Sequence, residues 1–370
     1  MFISVKEYKS VFRALGYQFK ISDCVVRNNE LLALLIKAVG TEELEAEEEQ
    51  KQWDPALRQK GVVQWNRKSK QWAVLVEGGL EPMLIGVSHE PASHIVSIEQ
   101  YLSDFEPDER EEIGGMRSLI LGSGSPYKDT PLGRFNASEG ADGAFLRGAV
   151  TKLKTVDGYL YACGTLRSFG KRIGQGKWIS YTQHFPTVDP SKGLRVGFND
   201  FGAFSEYDIY LAGFRGDVWH FNGIKSRQIP IPTNIDLETI CCAGNGEVYI
   251  SGAKGMTFHG RGDRWERVEN EEPYEDPVDL HFRDMVWYEK KVWATNDDGL
   301  WVIENNTIKE ANVPDWVQDC SGNLSVGNGV LLLAGEGGAV FRENGEWHKI
   351  LLFDEMEALL AAEEGGGASS

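Results

Sequence analysis

A two-glycine motif recurs four times in register, and that periodicity limits the fold more than any other feature of the chain. The copies are Ile209-Tyr-Leu-Ala-Gly213-Phe-Arg-Gly216, Val248-Tyr-Ile-Ser-Gly252-Ala-Lys-Gly255, Val292-Trp-Ala-Thr-Asn296-Asp-Asp-Gly299 and Leu331-Leu-Leu-Ala-Gly335-Glu-Gly-Gly338. In each, a short apolar strand ends at Gly or Asn, and a second glycine follows three residues later. The second glycines, at 216, 255, 299 and 338, are spaced by 39 to 44 residues. A period of roughly 40–45 residues holding four strands marks the blades of a β-propeller.

The residues around the motif supply the other strands. Trp219, Phe258, Val302 and Phe341 each stand three places beyond the second glycine, as the buried side of a following strand. Turn residues then come at Asn222-Gly223, Arg261-Gly262-Asp263 and Asn344-Gly345, and Trp265 and Trp347 open the outer strands. Glu238-Thr-Ile-Cys-Cys-Ala243 and Asp284-Met-Val-Trp-Tyr288 read as strands before the motif. Each repeat therefore runs A, B, C, D, with the motif joining B to C. Gly213, Gly252 and Gly335, with Asn296 as the tolerated substitute, are expected at positive φ in the B–C turns.

Earlier repeats are looser. Leu160-Tyr-Ala-Cys-Gly164 matches a B strand, and the stretch Thr165 to Lys177 reads as an insertion before Trp178. Cys24-Val-Val and Leu31-Leu-Ala-Leu-Leu-Ile would be A and B of a first blade, with Gly61-Val-Val-Gln-Trp65 and Trp72 as C and D. Met83-Leu-Ile-Gly86 and Leu119-Ile-Leu121 leave room for one more. The expectation is an all-β chain with a single propeller of seven four-stranded blades, six or eight being the alternatives. Residues 1–20 would pack on the propeller as an N-terminal segment, 21–352 would form it, and 353–370 would be a short helix and flexible tail. The apolar strand, paired glycines, aromatic strand and trailing Trp resemble kelch-like and Asp-box-like bacterial propeller repeats. The resemblance covers about 150–370 well and 20–80 weakly, lacks the Gly-Gly pair of kelch and the Trp-Asp of WD repeats, and implies a fold rather than a function.

Charge and cysteine usage exclude several classes. The formal net charge is −18, which opposes direct nucleic-acid binding and suits a basic protein partner. The five cysteines (Cys24, Cys163, Cys241, Cys242 and Cys320) have no C-x-x-C spacing, so neither a disulfide framework nor a zinc site is expected. Lys6, Glu7 and Lys9 fall where a signal peptide needs an apolar run, and no stretch is apolar enough to span a membrane. A reducing cytoplasm is the expected setting.

No catalytic constellation, metal set or cofactor motif emerges. His220 and His259 occupy the same strand-C position in consecutive repeats, which favours a structural role. Thr295-Asn-Asp297-Asp-Gly299-Leu-Trp301 resembles an Asp-box, itself a turn motif. Gly122-Ser-Gly124-Ser is not a nucleophile elbow.

Three acidic clusters stand out: Glu42, Glu43, Glu45, Glu47, Glu48 and Glu49; Asp104 to Glu112; and Glu269, Glu271, Glu272, Glu275, Asp276 and Asp279. The first lies in a B–C insertion and the third in a D–A link, so strand parity sends both to one rim. Arg167 and Arg172 would add basic charge there. The candidate partner-binding residues are thus Glu42, Glu43, Glu47, Glu48, Glu271, Glu272, Glu275, Asp276, Arg167 and Arg172. The expected function is non-enzymatic protein binding, in its specific form an immunity protein neutralising a basic toxin. The alternatives are an Asp-box-type glycan-binding or glycan-hydrolysing propeller and a scaffold subunit.

Overall fold

A computed structural model of the chain describes residues 3–13, 18–39, 59–79, 83–99, 118–121, 127–128, 147–175, 177–188, 196–271 and 280–366. The described strands form seven sheets, six of four strands and one of five. Sheet 1 is β1 (Gln18–Val26), β2 (Leu31–Val39), β3 (Gln59–Asn66) and β4 (Gln71–Gly79). Sheet 2 is β5 (Met83–Ser88), β6 (His94–Glu99), β7 (Ser118–Leu121) and β8 (Tyr127–Lys128). Sheet 3 is β9 (Val150–Val156), β10 (Tyr159–Gly164), β11 (Ser168–Gly174) and β12 (Lys177–Ser180). Sheet 4 is β13 (Phe198–Ser205), β14 (Asp208–Gly213), β15 (Val218–Phe221) and β16 (Ser226–Gln228). Sheet 5 is β17 (Leu237–Cys242), β18 (Val248–Gly252), β19 (Thr257–Arg261) and β20 (Arg264–Arg267). Sheet 6 takes β21 (Glu269–Asn270), β22 (Asp284–Tyr288), β23 (Lys291–Thr295), β24 (Leu300–Glu304) and β25 (Thr307–Glu310). Sheet 7 is β26 (Gly322–Gly327), β27 (Val330–Gly335), β28 (Gly338–Glu343) and β29 (Glu346–Leu352).

Consecutive strands pair in antiparallel meanders, each the blade of a β-propeller. B–C turns and D–A connections therefore leave each sheet at one edge, and A–B and C–D turns at the other. The exception to sequential order is β21, which pairs parallel to β25 and makes a fifth strand on the outer edge of sheet 6.

The chain packs as two compact units. In the unit formed by residues 1–80, 297–300 and 312–370, sheets 1 and 7 share a core of Phe19, Leu32, Trp65, Leu332 and Phe341. Helix α1 (Val5–Phe12) and helix α2 (Phe353–Gly366) complete it. Ser4 and Glu7 form a capping box at the start of α1, which satisfies amide groups that the first helical turn leaves open. The Phe12 ring meets Phe353 edge-on at 5.6 Å and Trp72 at 5.5 Å. Glu357 of α2 accepts from the Tyr8 hydroxyl at 2.5 Å and from Arg13 Nε at 2.9 Å.

In the unit formed by residues 81–296 and 301–311, first strands of successive sheets run side by side: β5 with β9, β9 with β13, β13 with β17, and β17 with β22. An aromatic core of Phe169, Phe185, Phe198, Phe201, Trp219 and Phe221 fills the space between sheets 3 and 4. Trp219 and Phe258 are buried on the third strands of their sheets, as is Phe341 in the other unit.

The motif glycines join B to C as expected, but the positive φ is elsewhere. Gly213 (φ −169°, ψ −151°) and Gly252 (φ −146°, ψ −159°) are extended, and neither Gly335 nor Asn296 has a positive φ. These glycines are required by a close approach instead. A Cβ on Gly213 would sit 1.8 Å from the Gly197 carbonyl oxygen, and one on Gly335 would sit 1.7 Å from that of Ser321. On Gly252 the same atom would lie 2.3 Å from the Asp236 carbonyl oxygen. In each case the oxygen belongs to the residues that lead into the neighbouring A strand. In sheets 4 and 5 the A–B register also slips by one residue there. Positive φ falls on the second glycine and the residue before it: Arg215 (58°) with Gly216 (70°), and Lys254 (60°) with Gly255 (66°). Two consecutive left-handed residues make the tight turn whose twist suits a β-hairpin. Gly338 (φ 144°) opens β28, and Gly299 precedes β24 without a positive φ.

A second correction concerns Thr165 to Lys177. These residues are not an insertion, because β11 occupies Ser168–Gly174 and hairpins directly back onto β10. The longer connection in that repeat follows β12 instead.

Candidate functional site

Strand parity groups the B–C turns of sheets 3, 4 and 5 at one edge. In sheet 3 the turn carries Leu166 (φ 57°) and Arg167 (φ 57°), closed by the Ser168 amide donating to the Thr165 carbonyl at 3.2 Å. The equivalent closures are Asp217 N to Phe214 O at 3.1 Å and Met256 N to Ala253 O at 3.4 Å. Arg167, Arg215 and Lys254 thus stand on three successive left-handed turns.

Arg167 is turned inward. Its Nε and Nη2 grip Asp217 at 2.6 and 2.9 Å, and its guanidinium lies 4.9 Å from the Trp219 ring centroid. The Trp219 indole Nε1 donates to Asp217 as well, at 2.8 Å. This fork-on-carboxylate with a stacked aromatic ties sheet 3 to sheet 4. Arg172 lies on β11 and is fully buried, so it presents no surface to a partner. Burial pushes the Arg147 guanidinium below its ordinary value, beside the start of the same sheet.

Arg215 and Lys254 differ from these: both are exposed, and neither side chain makes an ion pair with any described residue. One acidic residue positions both turns. The Asp236 Oδ1 accepts from the Arg215 amide at 2.9 Å, and the Asp236 carbonyl accepts from the Ala253 amide at 2.9 Å. The signal was present in the sequence, because a cation precedes the second glycine in two consecutive repeats. The shared Asp236 anchor was not visible there.

The inner strands are filled with paired charges. Lys152 of β9 reaches Asp284 of β22 at 2.5 Å, three sheets along. Lys154, also on β9, binds Asp200 of β13 at 2.7 Å and the Ile240 carbonyl at 3.1 Å. Asp200 also accepts from Thr239 Oγ1 and the Ile240 amide, each at 3.0 Å. Cys163 and Cys241 lie close by, and burial pushes each thiol up to about 12. Such thiols are protonated and inert at neutral pH. Among the described residues no group of three His, Cys, Asp or Glu side chains could hold a metal ion.

The opposite edge holds the repeated histidines. His220 Nε2 meets Asp208 at 2.9 Å and His259 Nδ1 meets Glu247 at 3.2 Å, each beside the Tyr of its own B strand. Arg261 also binds Asp208, and Lys171 binds Glu206, which accepts from the Tyr161 hydroxyl at 2.7 Å. Burial, then the Glu206 contact, raises the Tyr161 phenol above its ordinary value. These turns cross-tie neighbouring sheets and leave no unoccupied acid–base pair among the residues named.

Of the acidic candidates, Glu271 is exposed, and its amide donates to the Ile308 carbonyl at 2.9 Å as β21 ends. Glu42, Glu43, Glu47, Glu48, Glu272, Glu275 and Asp276 lie outside the described residues.

No family model matches the chain. It is 28% identical over 228 residues to Immune protein Tsi7 of Pseudomonas aeruginosa PAO1, a match covering 61% of this chain and 71% of that protein. Among solved structures, virginiamycin B lyase from Staphylococcus aureus is similar with a TM-score of 0.57 at 9% identity, over 87% of this chain and 94% of that one. The WD40 β-propeller domain of Doa1 is similar with a TM-score of 0.55 at 12% identity, over 89% and 95%. These likenesses show the fold: an all-β chain with a single β-propeller.

Proposed function

We propose that this chain is an immunity protein, a non-enzymatic propeller that neutralises a toxin by direct contact. The observation that carries the reading is the similarity to Immune protein Tsi7 across most of that protein's length. The inner strands support it. A hydrolase or lyase on such a scaffold needs an accessible acid, base or metal where the first strands converge. Here Lys152, Lys154, Asp200 and Asp284 neutralise one another at that place.

The contact surface in this reading is the edge bearing the B–C turns and D–A connections, where rigid strands present loops to a partner. The toxin is basic, and the acidic insertions Glu42 to Glu49 and Glu269 to Asp279 speed its approach. The encounter takes place in the cytoplasm, with no membrane or nucleic acid involved. The test is co-expression with the protein encoded beside this gene. Restored growth and a stoichiometric complex on gel filtration are expected. A neighbouring protein that is harmless alone, or toxic but neither bound nor silenced by this chain, refutes the proposal.

A further inference from the structure

Resting on the immunity reading, we propose that Arg215 and Lys254 form a paired cationic contact that receives an acidic patch on the toxin. Other exposed cations, such as Lys225 and Arg264, also lack an ion pair among the described residues; what sets Arg215 and Lys254 apart is their matched place on consecutive left-handed turns. Carboxylates next to these two turns are already committed. Asp217 is held by Arg167. Glu238 accepts from Asn199 at 3.4 Å and lies 3.7 Å from His281. Asp236 spends its Oδ1 on the Arg215 backbone. The side chains of Arg215 and Lys254 have no ionic partner among the described residues, while Asp217, Asp236 and Glu238 are engaged elsewhere.

Their placement is built rather than incidental. A long cationic side chain at positive φ costs free energy that Asn or Gly would avoid. Both turns nevertheless carry one, in the same slot of consecutive repeats. The backbones beneath are fixed: Gly216 N donates to Ile235 O at 2.7 Å, and Ala253 N donates to Asp236 O at 2.9 Å. Because Asp236 holds both turns, the two side chains spring from backbones anchored on one shared residue. Two cations so mounted match a pair of carboxylates. Nucleic acid fits less well, since a net-negative chain repels a polyanion at long range and two cations neutralise little of it. An acidic patch on an otherwise basic toxin also fixes orientation: partner groups of both signs must fall opposite their complements, which selects one register and suppresses others.

The test compares the parent with the Arg215→Glu, Lys254→Glu double variant. The probe is the inactivated toxin encoded beside this gene, immobilised for surface plasmon resonance at low and high ionic strength. The double variant should associate about tenfold more slowly at low salt, and this gap should shrink at high salt. Its melting temperature should match the parent, because both side chains are exposed. If the parent binds and the double variant binds at the same rate with the same salt dependence, the proposal is wrong while the immunity reading stands. If the parent itself does not bind, the immunity reading falls and takes this proposal with it. Titration with short duplex DNA is the third arm, and saturable binding by the parent that the double variant loses would overturn the protein-contact assignment.

Discussion

Replacing Gly213 by Ala should destabilise the fold severely, although the residue is extended and an alanine could adopt its φ and ψ. The added Cβ would lie 1.8 Å from the Gly197 carbonyl oxygen, 2.7 Å from its carbon and 2.8 Å from Phe198 Cα. Ordinary contact begins near 3.4 Å, so β13 and β14 must separate locally by roughly 1.6 Å. That separation breaks the Phe214 N to Gly197 O hydrogen bond, now 3.2 Å, and shifts the buried Phe198 ring away from Phe185, 5.1 Å distant. A buried carbonyl left unpaired costs about 1–3 kcal/mol, and forced repacking about as much again. The smaller entropy of the unfolded alanine chain offsets about 0.5 kcal/mol. The expected loss is therefore about 1.5–5.5 kcal/mol. Gly262→Ala is the control: its φ is +62°, but nothing lies within 4 Å of the added atom. It should cost only the left-handed strain, about 1–2 kcal/mol. Urea unfolding followed by tryptophan fluorescence reads both. A Gly213→Ala midpoint at or above that of Gly262→Ala would show that close approach is not what requires glycine there.

Trp219→Ala removes a buried ring, its hydrogen bond to Asp217 and the face on which Arg167 stacks, so it should cost about 3–5 kcal/mol; a melting temperature within a degree of the parent would contradict this. Iodoacetamide at mildly alkaline pH should leave Cys163 and Cys241 unlabelled in the native protein and alkylate both after denaturation, as mass spectrometry of the peptides would show. At Glu357, burial pushes the carboxyl up, but the hydrogen bonds from Arg13 and Tyr8 outweigh it and hold the group below its ordinary value. Its contribution is thus present at neutral pH and is lost as pH falls through the depressed pKa, so Glu357→Gln should weaken the fold at pH 7 and lessen its acid sensitivity in urea titrations from pH 7 to about pH 3.

The repeat architecture was legible because apolar B strands such as Leu331-Leu-Leu-Ala and aromatic C strands such as Val218-Trp219 are local patterns. What escaped was non-local. Gly213 looks like a turn glycine until Gly197, sixteen residues earlier, is seen against it. β11 is hidden in the sequence because Ser-Phe-Gly-Lys-Arg-Ile-Gly carries two cations in mid-strand, one of them buried, and no clean alternation. β21 gives no sequence signal, since Glu269 and Asn270 form a parallel strand only where β25 offers an edge. At the candidate site, the cation before the second glycine was readable in two repeats. The commitment of the adjacent Asp217 was not, because it pairs with Arg167 of another sheet.

Sheets 1 and 7 each consist of four consecutive strands, and neither borrows one from the other end of the chain. Every sheet can then be finished as its own residues leave the ribosome, with none waiting for a distant terminus to supply a missing edge. Sheets 1 and 7 meet through side chains and through α1 packing on α2. Until α2 has been synthesised, Phe12 and Tyr8 have no Phe353 to cover them. A chain halted before residue 353 should therefore hold formed sheets but expose an apolar seam at its first helix, where chaperones bind and from which degradation of unfinished copies can begin.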